Sequence, residues 1–279
     1  MLYLPPAWYA SNPPPRLPAV VMIHAEFGHP NDWLVGGHAR KTLDDFAAAH
    51  GGNAPVVVFA DASGTFSNDT ECVNGLRGNA ADHITKDVVP FVISNFGVSR
   101  DPANWGIAGW SAGGTCAVTL AVKYPEIFST FVDIDGQKGP YAGTPEQTVA
   151  RLFGGDTAAW ADFDPRTIME RHGPYTGVSG WFGVSTENPT VYRDGSSNVG
   201  AELPPEPDAK TNATDPTAVA NYMCELVSIY GIECAVVPQI GGHNFVNAGA
   251  QFEKALPWLA GQLGTPGVPK IVPPGAPAS

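Results

Sequence analysis

Apolar residues along this chain fall into short, dense runs separated by longer mixed stretches. Ala19 to Ile23 (Ala-Val-Val-Met-Ile) and Pro55 to Ala60 (Pro-Val-Val-Val-Phe-Ala) are continuous and rich in β-branched residues. Such runs predict strands buried on both faces, as in a parallel sheet. Trp105–Ala108, Thr130–Ile134, Ser179–Val184 and Ile232–Pro238 extend the series. Helical stretches are predicted between them: over 38–49, over 80–96 with Asn79 or Asp82 as N-cap, over 115–122, over 217–230 behind the Asp215-Pro216 pair, and over 247–262. The alternation βαβαβαβ implies a mostly parallel sheet with helices on both faces. Residues 1–18, extended and proline-rich, read as an edge strand and its loop.

The pattern breaks between Gln137 and Val178. Here 145–153 and 156–171 read as short helices joined by Gly-Gly and Asp-Pro turns. This stretch, 137–178, is either a small cap insertion over the active-site end of the sheet or a packing excursion. Residues 194–212, rich in Gly, Ser, Pro and acids, read as a mobile surface loop. The expectation is one α/β domain over 1–263 and a disordered Pro/Gly-rich tail over 264–279. There is no internal repeat.

The candidate chemistry centres on Gly109-Trp110-Ser111-Ala112-Gly113, a G-x-S-x-G run lying between a predicted strand and a predicted helix. A serine on so sharp a turn stands clear of the sheet, and the flanking glycines let strand and helix approach closely. Ser111 is the candidate nucleophile. The same glycines fit this turn better than a dinucleotide-binding G-x-G-x-x-G. A base is supplied by His243, in Gly241-Gly242-His243-Asn244-Phe245 just after the last strand. The acid that would orient it should follow a strand lying between the two in sequence. Glu187, directly after Ser179–Val184, has that topology; Asp194 and Asp215 lie further on, and Asp133 or Asp135 would serve one strand earlier. An oxyanion would be held by the N–H of Ala112 and by one from the loop after an early strand, that of Glu26. That loop begins His24-Ala25-Glu26-Phe27, where His-Gly-x-Gly is common. An acidic side chain at position 26 must point away from a developing oxyanion, enter a salt bridge, or meet a cationic part of the substrate. His24, His29 and His38 share one loop, but no His-Glu-x-x-His or Cys-x-x-Cys spacing occurs, and the sequence calls for neither metal nor cofactor.

Composition narrows the setting. The 279 residues are 43% hydrophobic and only 15% charged, as in a globular protein, with a formal net charge of −12. That charge argues against a nucleic-acid partner, and there is no basic run to meet an anionic membrane. No apolar run reaches the roughly 18–20 residues of a membrane span. The abrupt opening Met1-Leu2-Tyr3-Leu4-Pro5-Pro6, as if inside a strand, suggests a longer precursor bearing an export signal or membrane anchor. Four cysteines allow three pairings. Cys224 and Cys234 flank one helix–strand junction, and Cys72 with Cys116 would make a second bridge; four buried free thiols are the alternative. Two disulfides would imply an extracytoplasmic, cell-envelope location.

With these residues placed, the chain resembles the esterase D and mycolyltransferase branch of the α/β-hydrolases over roughly residues 2–262. The likeness rests on Leu-Pro-Pro at the start, Val-Met-Ile-His…Asn-Asp-Trp, Trp-Gly-Ile-Ala-Gly-Trp-Ser-Ala-Gly-Gly, Lys-Tyr-Pro-Glu-Ile-Phe, and Gly-Gly-His-Asn-Phe ahead of Leu-Pro-Trp-Leu. It looks most like secreted or membrane-tethered actinobacterial esterases. The resemblance implies an α/β-hydrolase fold and ester hydrolysis or acyl transfer through an acyl-serine, without a cofactor. A small-molecule or lipid ester, such as an envelope lipid or an aminoacyl ester, would be the substrate. The rivals are a mycolyltransferase-like acyltransferase and an inactive hydrolase-like binding protein.

Overall fold

A seven-stranded sheet runs through the centre of the molecule, a computed structural model that describes residues 1–187 and 198–273. Its strands are β1 (Leu2–Tyr3), β2 (Ala19–Ile23), β3 (Val56–Ala60), β4 (Trp105–Trp110), β5 (Thr130–Ile134), β6 (Ser179–Thr186) and β7 (Glu233–Ile240). They lie in the order β1-β3-β2-β4-β5-β6-β7. Every pair is parallel except β1 with β3, so the proline-rich start supplies an antiparallel edge.

The β-branched runs are buried throughout because both faces are covered. Val21 and Ile23 face one core, while Val20 and Met22, alternating with them, face the other. The helices in chain order are α1 (Asp32–Val35), α2 (Ala39–Ala49), α3 (Ala80–Phe96), α4 (Ala112–Lys123), α5 (Pro145–Phe153), α6 (Thr157–Ala161), α7 (Pro165–His172), α8 (Ala209–Thr214), α9 (Pro216–Ile229) and α10 (Phe245–Gln262). Residues of α1, α2 and α10 build the core on the Val20 face, and those of α3–α5, α7 and α9 build the core on the Val21 face.

Three expectations change in detail, each for a visible reason. The 80–96 helix widens to a π turn over His83–Val88 before resuming at Val89. Pro90 has no N–H to give the preceding turn, and the ladder shifts around it. The predicted 156–171 helix is two: Asp156 caps α6, and Asp164 caps α7 with Pro165 in its first turn. The 194–212 loop contains the first four residues of α8, capped by Asp208, and the buried Asn212 accepts the Lys138 N–H at 2.9 Å; residues 194–197 lie outside the described ones.

The 137–178 stretch lies against the outer side of α4. Phe153, Phe163, Met169 and Tyr175 join the core on the Val21 face, Tyr175 Oη donates to Val122 O at 2.8 Å, and Lys123 Nζ donates to Asp162 O. The expected disordered tail folds back through residue 273: Thr265 is buried, and Gln262 Nε2 donates to Ile271 O. Residues 274–279 lie outside the described ones.

All four cysteines pair, Cys72 with Cys116 and Cys224 with Cys234. The first ties the 62–79 loop to α4; the second joins α9 to β7.

Candidate active site

The β4–α4 turn is tight enough to account for its glycines. A Cβ on Gly109 would lie 2.2 Å from Gly113 O, and one on Gly113 would lie 2.5 Å from both Ile23 O and His24 O. Backbone stands where any side chain would go, so neither position accepts another residue without moving a strand. Ser111, between them, is forced to φ 58° and ψ −123°, a conformation an L-residue rarely adopts. Its N–H is spent on Ile134 O at 2.8 Å, which pins the turn to β5. The Ser111 side chain therefore projects beyond the carboxyl ends of the strands, with the first N–H groups of α4 behind it.

His243 arrives from the far edge of the sheet. Gly241, at φ 149°, turns the chain after β7, and its N–H reaches Thr186 O at 3.4 Å. Asn244 then caps α10 by accepting the Asn247 N–H. The imidazole is carried out to where its Nε2 meets Ser111 Oγ at 3.1 Å. One ring face leans on Trp110, centroid to centroid 4.6 Å, and Trp110 stacks edgewise on Phe245 at 4.5 Å.

On the other side of the ring, Nδ1 faces Asp135 Oδ2 at 3.6 Å. The carboxylate is fully enclosed whereas the histidine is half exposed (side-chain exposure 0% against 51%). Asp135 follows β5, at φ 52°, with its N–H on Gly183 O. The Ser185 N–H and Oγ–H both donate to it, at 2.6 and 2.5 Å. Glu187, expected in this role, lies exposed one residue past the end of β6. β6 continues two residues beyond the predicted Val184, so the position facing the histidine is held by Ser185 and the residue it binds, Asp135. Asp215 caps α9 through the Ala218 N–H, and Asp194 lies outside the described residues. Asp133 points back into the protein and accepts the Gly136 N–H at 2.8 Å. Burial first, then the nearby Asp135 charge, pushes its carboxyl up to about 8.

The β2 loop closes the site opposite His243. Ala25, Glu26, Ala112 and Gly113 line one narrow cleft with Asp69 and Glu71. His24 is buried at its base, its Nδ1 2.7 Å from Ala25 O and its Nε2 3.5 Å from Asp61 Oδ1. The Glu26 side chain is exposed; desolvation, then the Asp69 charge, raises its carboxyl, against the pull of Arg77. Glu71 is enclosed and receives the Tyr141 N–H at 3.0 Å. Desolvation, reinforced by Asp69, drives it well above the usual carboxylate range. Sequence patterning had singled out neither Asp69 nor Glu71, because nothing in the 62–79 loop marks which acids fold inward.

A parallel sheet flanked by helices, with a serine on a strained strand–helix turn and a histidine beyond the last strand, defines an α/β-hydrolase fold. The chain belongs to the Esterase family, whose model matches residues 1–259. It is 36% identical over 186 residues to the uncharacterized protein Cgl0967/cg1104 of Corynebacterium glutamicum. That match covers 64% of this chain and 43% of the other, so the chain spans less than half the length of this curated relative. Among solved structures, the S-formylglutathione hydrolase of Agrobacterium tumefaciens superposes with a TM-score of 0.67 at 16% identity, over 94% of this chain and 89% of that one. FphF, a fluorophosphonate-binding serine hydrolase of Staphylococcus aureus, gives 0.65 at 11% identity, over 93% and 91%. At such identities the structural likeness shows the fold.

Proposed function

We propose that this protein is a serine carboxylesterase working through an acyl-serine intermediate. His243 Nε2 takes the proton of Ser111 as Oγ attacks the ester carbonyl, and the N–H groups of Ala112 and Glu26 receive the oxyanion. His243 returns the proton to the departing alkoxide. A water deprotonated by the same nitrogen then releases the carboxylic acid and restores Ser111. Asp135, in place of Glu187, holds the imidazole with Nδ1 protonated and Nε2 free, and offsets the charge of the imidazolium.

The observation that carries this reading is the continuous path from Ser111 Oγ to His243 Nε2 at 3.1 Å and from His243 Nδ1 to Asp135 at 3.6 Å. The substrate is a small-molecule or lipid ester. Two disulfides support a home outside the cytoplasm, secreted or at the cell envelope, because thiols stay reduced inside most cells.

The test is covalent labelling with a fluorophosphonate, located by peptide mass, beside hydrolysis of a short p-nitrophenyl ester. Modification of Ser111, absent in Ser111→Ala and sharply slowed in His243→Ala, is the expected result. No labelling and no turnover by the native chain would overturn the assignment.

A further inference from the structure

We infer that Ser185 is a positioning residue for this reaction, with a hydroxyl that Asn247 and Gln251 of α10 aim at Asp135. The inference rests on Asp135 being the acid partner of His243. The argument is one of counting donors. A serine oxygen has one proton to give and two lone pairs to receive. Asn247 Nδ2 donates to Ser185 Oγ at 2.7 Å and Gln251 Nε2 at 3.1 Å, so both lone pairs are taken. Gln251 Oε1 lies against β6, where a Cβ on Gly183 would come within 2.4 Å of it, and has no hydrogen-bond partner among the described residues. One direction remains for the hydroxyl proton. Asp135 Oδ2 stands 2.5 Å away along it, whereas the other nearby acceptor, Gly242 O, is at 3.4 Å.

The consequence for the carboxylate is specific. The Ser185 N–H fixes Oδ1 at 2.6 Å and the Ser185 hydroxyl fixes Oδ2, so one residue grips both oxygens and sets the carboxylate plane. Asn247 and Gln251 are themselves buried, one turn apart on the face of α10 that packs over β6. The same helix begins just after His243. α10 thus positions both the base, through its N-terminal cap, and the acid, through Ser185.

The test compares kcat, KM and the second-order rate of fluorophosphonate capture by Ser111 in Ser185→Ala, Ser185→Thr and Asn247→Asp, each normalised to titrated Ser111. In Ser185→Ala, kcat and the capture rate should fall together by roughly 10- to 100-fold, the range for a hydrogen bond to a charged group, with KM within about twofold. Ser185→Thr, which restores a hydroxyl, should recover most of the loss. Asn247→Asp, which puts an acceptor where the amide donor stood and draws the hydroxyl proton away from Asp135, should lower kcat comparably even if Ser185→Ala does not fold. Native kcat in Ser185→Ala or in Asn247→Asp would overturn the inference, as would a Ser185→Thr as slow as Ser185→Ala. Asp135→Asn, assayed alongside, separates the two levels: unchanged kcat there would remove the acid assignment itself, whereas a large loss there with a native Ser185→Ala would remove only the role of Ser185.

Discussion

The carboxylate of Asp135 meets Nδ1 of His243 from the strand before the one that leads to Glu187. The two acids are therefore separable by substitution. Asp135→Asn, which keeps the shape but favours the wrong imidazole tautomer, should lower kcat for a p-nitrophenyl ester by about 10³–10⁴-fold. Glu187→Gln should stay within about twofold. Steady-state kinetics on titrated enzyme decides between them.

Trp110 is the wall against which His243 rests, and its Nε1 is buried without a hydrogen-bond partner. Trp110→Phe therefore forfeits no polar contact and should retain most activity. Trp110→Ala opens a cavity between His243 and Phe245, and should cost about 3–5 kcal/mol of stability together with most of the turnover. Urea denaturation and kcat, measured on the same preparations, test both.

The buried Asp133 carboxyl gives a pH signature. Its folded value, raised to about 8, exceeds its unfolded value of 3.8. The folded state thus holds a proton that the unfolded state loses, and this contribution to stability is full below the unfolded value and is lost as pH rises through the folded one. Within that window it falls by about 1.4 kcal/mol per pH unit. Asp133→Asn keeps an oxygen for the Gly136 N–H and never ionises. The melting temperature of the variant relative to the native protein should therefore climb from pH 4 to pH 8; a constant difference would refute the assignment.

The two disulfides should contribute unequally. Cys72–Cys116 spans 44 residues and Cys224–Cys234 spans 10, so loop-closure entropy assigns them about 4 and about 3 kcal/mol. Replacing Cys72 and Cys116 by alanine also frees the 62–79 loop, which lines the cleft at Glu26 and Ala112. That variant should lose both stability and fluorophosphonate reactivity, whereas the Cys224/Cys234 variant should lose stability alone. Denaturant midpoints and capture rates on the two double variants check this.

The sheet was legible because buried parallel strands write themselves as β-branched runs, and the Ser111 turn because only glycine fits at 109 and 113. Which carboxylate faces His243 was not legible from spacing. Asp133 and Asp135 sit two apart at the end of one strand; a backbone at φ 52° turns Asp135 toward the histidine, while Asp133 is drawn inward by the Gly136 N–H. No local pattern encodes that difference. Nor does the sequence show that β6 runs on to Thr186, which sets Ser185 beside Asp135 and leaves Glu187 in solvent. The Gln137–Val178 stretch was read either way because short capped helices look alike over a site or along a flank. Phe163 and Tyr175, packed against α4 in the core on the Val21 face, mark where these helices lie.

With Asp135 as the proposed acid partner of His243, the path draws on the turn after β5, which has a consequence for how such a protein diversifies. In a layout with the acid after β6, the connection from β6 to α9 must keep one carboxylate in register, and its length and composition are constrained by chemistry. Here that connection carries no member of the Ser111–His243–Asp135 path. Changes in residues 199–207 therefore act through packing, as of Leu203 on the core, and through the Glu206 pairs with Lys138 and Arg166, rather than through a member of that path.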